Sequence, residues 1–506
     1  MQIDFAELIG PDGEPYKGAA LGAVLSGHAQ VTPDAPAFSI GGRTWSFAQL
    51  DSQANRRARL LARDFGVVQG DRVVIAAPNC VEYIEVAFAI WKLGATPCPV
   101  SWRIAEKEFV DLVALMGPRC IAGTASLPHC DCPTHDLQQP LPEDLSDDPL
   151  PPAVTAPGKI MNSGGSTGRP KLIIDPEPSS WGPDKKGRRR LPRTTFLNPA
   201  PLHHSAPFAY TTGAIGEGSH AVCMERFDPE EWLRRVEQYR PDIAYVVPTM
   251  MSRISKLPEE VTTAADLRSI HTLTHMAAPC PPDVKRWWIN RVGPETVLEI
   301  YGGTERIGAT VIDGAEWLAR PGSVGRAAAG YEIVVMDEDG HPLPPGEVGE
   351  IFFRNAQGAG AAYDYIGADT RIRDDLDSFG DMGWVDADGY LYIADRRTDM
   401  VLLGGANIFP AEIEAAIETL PGVLCAAVIG IPEADMGNRL HAIVELADNA
   451  QEPSDGLAFL APALQHLAKL KHPRSVEFTR ERIRDDTGKV RRSALRTARL
   501  PQPESN

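Results

Sequence analysis

No apolar run in the sequence approaches the roughly 18 residues that a membrane-spanning helix needs, so no integral membrane segment is expected. A surplus of positive charge is missing too: 50 Lys and Arg face 68 Asp and Glu, a formal net charge of −18. That balance excludes a chain wrapped broadly around nucleic acid, and an anionic ligand would need a locally basic site. Only 8 cysteines occur in 506 residues. Cys80, Cys98, Cys223, Cys280 and Cys425 stand in apolar surroundings, which fits reduced thiols better than a disulfide framework. Asp4 and Glu7 stand where a secretory signal carries positive charge, and no apolar stretch follows, so a cytoplasmic location is expected. Repeats with a period of roughly 20–50 residues are also absent.

What is present is globular: 43% hydrophobic and 23% charged residues. At about 150 residues per domain, the length accommodates roughly three domain-sized units. Residues 43–47 are strand-like, and Leu50, Ala54, Ala58 and Leu61 mark one face of a helix. A strand at 72–76, a helix at 81–93 closed by Gly94 and a strand at 96–100 continue a βαβ rhythm. The pattern predicts an α/β fold with a mainly parallel sheet and helices on its faces. Asp228 reads as a helix cap, with Pro229 and Glu231 behind it and Trp232 and Val236 as the apolar stripe, before a buried strand at 242–247. A charged run at 395–399 separates a strand at 390–394 from a fresh one at 400–403, which marks a smaller C-terminal domain. Within it, 410–418 reads as helix and 424–431 as strand. Residues 469–499 hold eleven Lys and Arg against four Asp and Glu. His129, Cys130, Cys132 and His135 lie close together, but not at a common structural zinc spacing, and proline-rich flanks predict a surface loop. The KKGRRR run at 185–190 is expected to be an exposed loop.

Four segments carry chemistry. Residues 159–174 read KIMNSGGSTGRPKLII, two strand-like flanks around a loop of glycines and hydroxyls, with Arg169 and Lys171 supplying charge. Backbone N–H groups and hydroxyls in such a concavity hold phosphate oxygens. A Walker A loop is excluded, because Arg169 and Pro170 separate Gly168 from the lysine and a strand follows rather than a helix. Residues 296–309, TVLEIYGGTERIGA, form a strand ending in a tight turn that would present Thr304 and Glu305 beyond its carboxyl end, where open α/β sheets bind ligands. A carboxylate beside bound phosphate commonly holds Mg²⁺. Residues 379–392 and 395–414 place Asp381 and Arg396 on turns flanking a hairpin, and DDTGKVRRSALR at 485–496 exposes Lys489 after a Thr-Gly turn. Each segment alone could be an ordinary turn.

Together and in this order, they make the chain resemble the adenylate-forming superfamily of acyl-CoA synthetases, adenylation domains and luciferases, over roughly residues 35–500. The matching motifs are SGGSTGRPK, YGGTE, GDMGWVDADGYLYIADRRTDM with GGANIFPAEIE, and DDTGKVRR. The resemblance implies a large N-terminal domain (1–395) of layered, mainly parallel sheets with helices and a β-barrel-like part. A hinge (396–399) and a small, mobile α+β C-terminal domain (400–506) would follow. It implies ATP, Mg²⁺ and coenzyme A as cofactors and a small-molecule carboxylic acid as substrate; a homodimer is left open.

The resemblance also assigns residues. Ser163, Gly164, Gly165, Ser166, Thr167, Gly168 and Lys171 would hold the β and γ phosphates. Tyr301 and Gly302, with Ala277, Ala278 and Pro279, would line the adenine pocket, and Asp381 and Arg396 would bind the ribose. Thr304 would contact the α-phosphate, Glu305 would hold the metal, and Lys489 would bridge carboxylate and phosphate oxygens. In a second half-reaction a thiol displaces AMP, Lys489 leaves and the Gly404-Gly405 segment arrives. Departures from the family pattern are Gly164 for Ser or Thr, Leu172 for glycine, and Thr398 at the hinge position, where Asp or Lys is usual.

His204, in NPAPLHHSAPF at 198–208, matches a position beside the acyl carboxylate. No aspartate stands nearby to pair with an amino-acid ammonium, and Phe208, Tyr210, Gly213, Gly216 and Gly218 suit an apolar acid. PNCVEYIEVAFAIWKLGATPCPVSWR and TLTHMAAPCPPDVKRWW are similar to bacterial fatty-acid, bile-acid and steroid side-chain CoA ligases. The resemblance therefore implies an acyl-CoA synthetase for a hydrophobic acid, with the basic C-terminal segment favouring coenzyme A. Two alternatives remain: an adenylate ligase serving a carrier-protein thiol, and a non-catalytic nucleotide-binding protein.

Overall fold

The structure, a computed structural model, describes residues 8–9, 15–16, 19–164, 170–181, 194–403, 406–433, 437–484 and 490–500. Its frame is a 15-stranded sheet. Six strands run parallel through the middle, in the order Pro36–Ile40, His220–Cys223, Thr195–Asn198, Ile243–Val246, Thr272–His275 and Val297–Gly302. From Val297–Gly302 onward the sheet turns antiparallel, through Ala309–Asp313, Ser323–Ala327, Leu391–Arg396, Asp381–Val385 and Gly349–Asn355. Among the described residues this run does not close on itself, so the expected barrel-like part is an open antiparallel extension. A second sheet, all parallel, is built from Thr96–Pro99, Arg72–Ala76, Cys120–Gly123 and Thr134–Asp136.

In the helices Phe47–Phe65 and Pro229–Tyr239, capping chemistry and apolar spacing agree. Phe47–Phe65 starts at Ser46, whose hydroxyl accepts from Gln49 N while Gln49 accepts from Ser46 N, and it stops at Gly66 in the left-handed region. Leu50, Ala54, Ala58 and Leu61 on its inner face are fully buried. Val81–Lys92 is buried on every side, with Tyr83, Phe88 and Trp91 in the main core. Asp228 caps Pro229–Tyr239 through Glu231 N at 2.9 Å, and Trp232 packs edge-on to Trp288. Fully burying one such side chain is worth about 1.5–3 kcal/mol.

Residues beyond 400 make a separate core from Val401, Ile413, Val428, Leu440, Val444 and Leu460. It joins the strands Val423–Glu433, Gly437–Leu446 and Ser475–Thr479 to the helices Pro410–Ile417 and Gly456–Leu464. Much of the basic C-terminal charge is neutralised inside this unit: Arg484 pairs with Glu418, Arg492 with Asp399 and Glu414, and Arg499 with Glu477.

The segment expected as a surface loop around His129 is partly a strand, since Thr134–Asp136 pairs with Cys120–Gly123 and buries His135. Cys130 and Cys132 pack against the core beneath it, and all eight cysteines are free thiols. These groups do not converge as metal ligands; among the described residues the convergent trio is Asp337, Asp339 and His341. No described helix is long and apolar enough to cross a membrane. The basic run 185–190 lies outside the described residues.

Candidate active site

The strand Val297–Gly302 delivers Tyr301 and then the Gly303-Thr304-Glu305 turn to the edge of a broad cleft between the large sheet and the C-terminal unit. A side chain is excluded at Gly303, where an added Cβ would collide with the Phe379 ring and crowd Glu305 at 2.7 Å. Tyr301 sits edge-on to Phe379, and its hydroxyl donates to Asp381 at 2.6 Å. Burial, reinforced by that carboxylate, pushes the phenol well above its ordinary pKa. Asp381 and Arg396 sit directly opposite each other on the paired strands Asp381–Val385 and Leu391–Arg396, with Nε 3.5 Å from Oδ1. They were expected on flanking turns; they terminate the strands themselves. Ala277, Ala278 and Pro279 line the same cleft, and Ala277 takes a φ of +78°, in the left-handed region. Such a conformation costs a non-glycine residue about 1–2 kcal/mol and clusters at binding sites.

The glycine-rich hairpin lines the same cleft, next to the Glu305 turn. Lys159–Gly164 pairs with Pro170–Asp175 so that Ser163 faces Lys171 in register. Asp364–Ile366 adds a third strand to this hairpin. That strand brings in Tyr365, which no sequence motif flagged. Lys171 Nζ donates to the Tyr365 hydroxyl at 2.9 Å and lies 4.1 Å from its ring centroid, and the same hydroxyl donates to Glu305 Oε1 at 2.6 Å. The ammonium and carboxylate themselves stand 3.6 Å apart. Burial pulls the Lys171 ammonium below the ordinary lysine value, which Glu305 only partly opposes. The base of the hairpin is fastened to the Glu305 turn: Asp175 pairs with Lys159 and accepts from Arg306 at 3.1 Å. Burial raises the Asp175 carboxyl, but the two cations outweigh it and hold it below the usual range.

His204 is the N-cap residue of Ser205–Gly216, and its ring centroid lies 4.2 Å from that of His203. Both histidines line the cleft, as do Tyr210, Tyr245, Met250, Met276 and Trp317. Phe208 also lines the cleft, with its ring packed against Tyr83 and Trp91 and almost no surface exposed. The cleft, about 3690 Å³, exceeds the roughly 300–1,000 Å³ of a single small-molecule pocket, so it has room for more than one ligand. Gly165, Ser166, Thr167, Gly168, Gly404, Gly405 and Lys489 lie outside the described residues. Residues near two of these stretches line the cleft: Val401 and Leu402 before Gly404, and Arg484, Val490 and Arg491 around Lys489.

The AMP-binding enzyme profile matches residues 25–362, and the profile for that family's C-terminal domain matches 412–489. The chain belongs to the AMP-binding enzyme family. A feruloyl-CoA synthase of an Amycolatopsis species is 32% identical, over 95% of this chain and 99% of its own. A long-chain-fatty-acid–CoA ligase of Mycobacterium tuberculosis is 30% identical, over 94% of this chain and 98% of its own. Among solved structures, the o-succinylbenzoate CoA synthetase of Bacillus subtilis in complex with its acyl-adenylate intermediate superposes with a TM-score of 0.79. It is 23% identical, covering 95% of this chain and 99% of its own. As an AMP-binding enzyme, the chain thus shares both the α/β large unit and the smaller C-terminal unit of that fold.

Proposed function

We propose that this AMP-binding enzyme is an ATP-dependent, AMP-forming acid–CoA ligase acting on a hydrophobic carboxylic acid. The observation that carries the reading is the pairing of two half-sites on one cleft. Tyr301, Asp381 and Arg396 suit a nucleoside, and Lys171, Tyr365 and Glu305 suit its phosphates. In the first half-reaction the acid's carboxylate oxygen attacks the α-phosphorus of ATP, and pyrophosphate departs. Tyr301 and the Ala277–Pro279 segment would flank the adenine, while Asp381 and Arg396 would hold the ribose hydroxyls. Ser163 to Gly168 and Lys171 would cradle the β and γ phosphates, and Thr304 would contact the α-phosphate. Glu305, a carboxylate 3.6 Å from the Lys171 ammonium, fits Mg²⁺, which binds through one or two carboxylates plus phosphate oxygens and would neutralise charge there. Lys489 would reduce the repulsion between the two anions as they meet.

In the second half-reaction the coenzyme A sulfur attacks the acyl carbonyl carbon and AMP leaves. For this we propose that residues 400–506 turn about 396–399 against the large domain 1–395, replacing Lys489 with the Gly404-Gly405 segment. His204, at the head of its helix, would sit beside the carboxylate. The apolar wall of Tyr210, Tyr245, Met250, Met276 and Trp317 supports a hydrophobic acid, and the feruloyl and long-chain fatty-acid relatives support both aromatic and aliphatic arms of a substrate panel. Eight free thiols support a reducing, cytoplasmic setting.

The test is acid-dependent pyrophosphate release with Mg·ATP, followed by thioester formation with coenzyme A, across fatty, aromatic and sterol-derived acids. Turnover with coenzyme A is expected for a hydrophobic member. Turnover only with a holo-carrier protein would move the assignment to carrier loading, and no pyrophosphate release with any acid would leave a nucleotide-binding protein without catalysis.

A further inference from the structure

The Tyr365 hydroxyl stands between two groups of opposite charge that, under the reading above, must each bind something else. It accepts from Lys171 at 2.9 Å and donates to Glu305 at 2.6 Å, and it holds the two at 3.6 Å. A direct charge-assisted hydrogen bond would bring ammonium and carboxylate to about 2.8 Å. Such a pair would compete with the ligands both groups are meant for, Lys171 with phosphate oxygens and Glu305 with the metal. We propose that Tyr365 is a positioning residue, a hydroxyl spacer that keeps the Lys171–Glu305 pair from tightening to direct hydrogen-bond contact and leaves both groups available to the β and γ phosphates of Mg·ATP.

Three features support the spacer. Tyr365 is fixed in register opposite Ile173, two residues along the strand from Lys171, so its place depends on sheet pairing and not on a free loop. Lys171 also lies over its ring, 4.1 Å from the centroid, so the ammonium packs on the aromatic body as well as on the hydroxyl. The turn carrying Glu305 is fastened to the same hairpin through Arg306 and Asp175, so the spacing is set on both sides.

Tyr365→Phe keeps the ring and removes the hydroxyl. Binding is measured calorimetrically with Mg·α,β-methylene-ATP and, separately, with AMP, which has no β or γ phosphate. Closing the ion pair from 3.6 Å to hydrogen-bond distance corresponds to about a five- to tenfold loss of Mg·ATP-analogue affinity. AMP affinity should stay within about twofold, and the deficit should shrink in high salt, which screens the pair. In a Glu305→Gln background, where no ion pair can form, Tyr365→Phe should add nothing. Equal loss for both nucleotides would make Tyr365 merely structural, and no loss for either would remove the spacer role. The inference rests on the nucleotide reading of the cleft: if the wild-type chain binds neither ligand, that reading falls and the spacer with it, whereas tight wild-type binding matched by Tyr365→Phe overturns the spacer alone.

Discussion

Tyr301 and Asp381, 80 residues apart in sequence, are joined by a 2.6 Å hydrogen bond in which the phenol donates. The same carboxylate faces Arg396 across the neighbouring strand. One buried acid therefore orients an aromatic face and a guanidinium toward the same end of the cleft. The two functions of Tyr301 can be separated. Tyr301→Phe keeps the ring and should raise the ATP KM no more than about threefold, the size of a modest hydrogen bond. Asp381→Ala removes the acceptor for Tyr301, the partner of Arg396 and the proposed ribose ligand. It should raise the ATP KM at least about tenfold, with little change in the KM for the acid. Steady-state titrations of each substrate check this, and an unchanged ATP KM in Asp381→Ala would remove the ribose assignment.

The parts of this site that were legible in the sequence are those in which one short segment carries both the turn and the chemistry. Lys171, Tyr301 and Glu305 are visible because glycines and charges alternate within a few residues, and the helix Phe47–Phe65 is visible because its cap and its apolar face agree. Tyr365 was invisible, because its meaning comes from pairing with a hairpin 194 residues earlier in the chain. Sheet closure leaves no local pattern either, so an open antiparallel run and a barrel-like part read alike. Thr134–Asp136 was missed for a different reason: a three-residue edge strand after a proline has too few positions to alternate.

Lys92 and Asp51 give a stability prediction. Lys92 Nζ donates to Asp51 and to Ser26, both at 2.7 Å, and both charged side chains are almost fully buried, tying Leu21–Val31, Phe47–Phe65 and Val81–Lys92 together. Asp51→Ala leaves a buried ammonium without its counter-ion and should cost about 3–5 kcal/mol in urea unfolding. Adding Lys92→Met should recover most of the loss, since an apolar replacement of a buried pair is often close to neutral. A double variant as unstable as the single one would mean that the network acts through packing alone.

His220 sets an acid limit. Its ring lies 2.8 Å from the Ser39 hydroxyl and edge-on to Tyr239, and burial lowers its pKa from 6.5 to about 4. Between those values the unfolded chain binds a proton that the folded chain does not. The stabilisation is therefore complete above the unfolded value and is lost as pH falls toward the folded one. A window of about 2.5 pH units corresponds to roughly 3 kcal/mol. Urea unfolding at pH 7 and pH 4.5 should reveal this loss, and His220→Gln should flatten the slope between them. An identical slope in the variant would assign the acid sensitivity elsewhere, His275 being the next buried imidazole.

Arg492 ties the segment that follows Lys489 to the proposed hinge. Its guanidinium donates to Asp399 at 2.7 Å and to Glu414 at 2.7 Å, while Asp395, on the other side of Thr398, accepts from Ala411 N at 2.9 Å at the start of Pro410–Ile417. If Lys489 neutralises the meeting of carboxylate and α-phosphate, its contribution is on the order of 4 kcal/mol per anion for a cation about 4 Å away at an effective dielectric near 20. Lys489→Ala should then slow adenylate formation by at least about a thousandfold. Thioester formation from a synthetic acyl-adenylate should stay within about tenfold of wild type, because in that step the lysine has withdrawn. Arg492→Gln keeps Lys489 but loosens its anchor, so it should give a smaller loss in the same half-reaction. Rapid-quench assays of the two halves separate these outcomes, and equal damage to both halves in Lys489→Ala would make that lysine a structural residue and end the two-state account of the C-terminal unit.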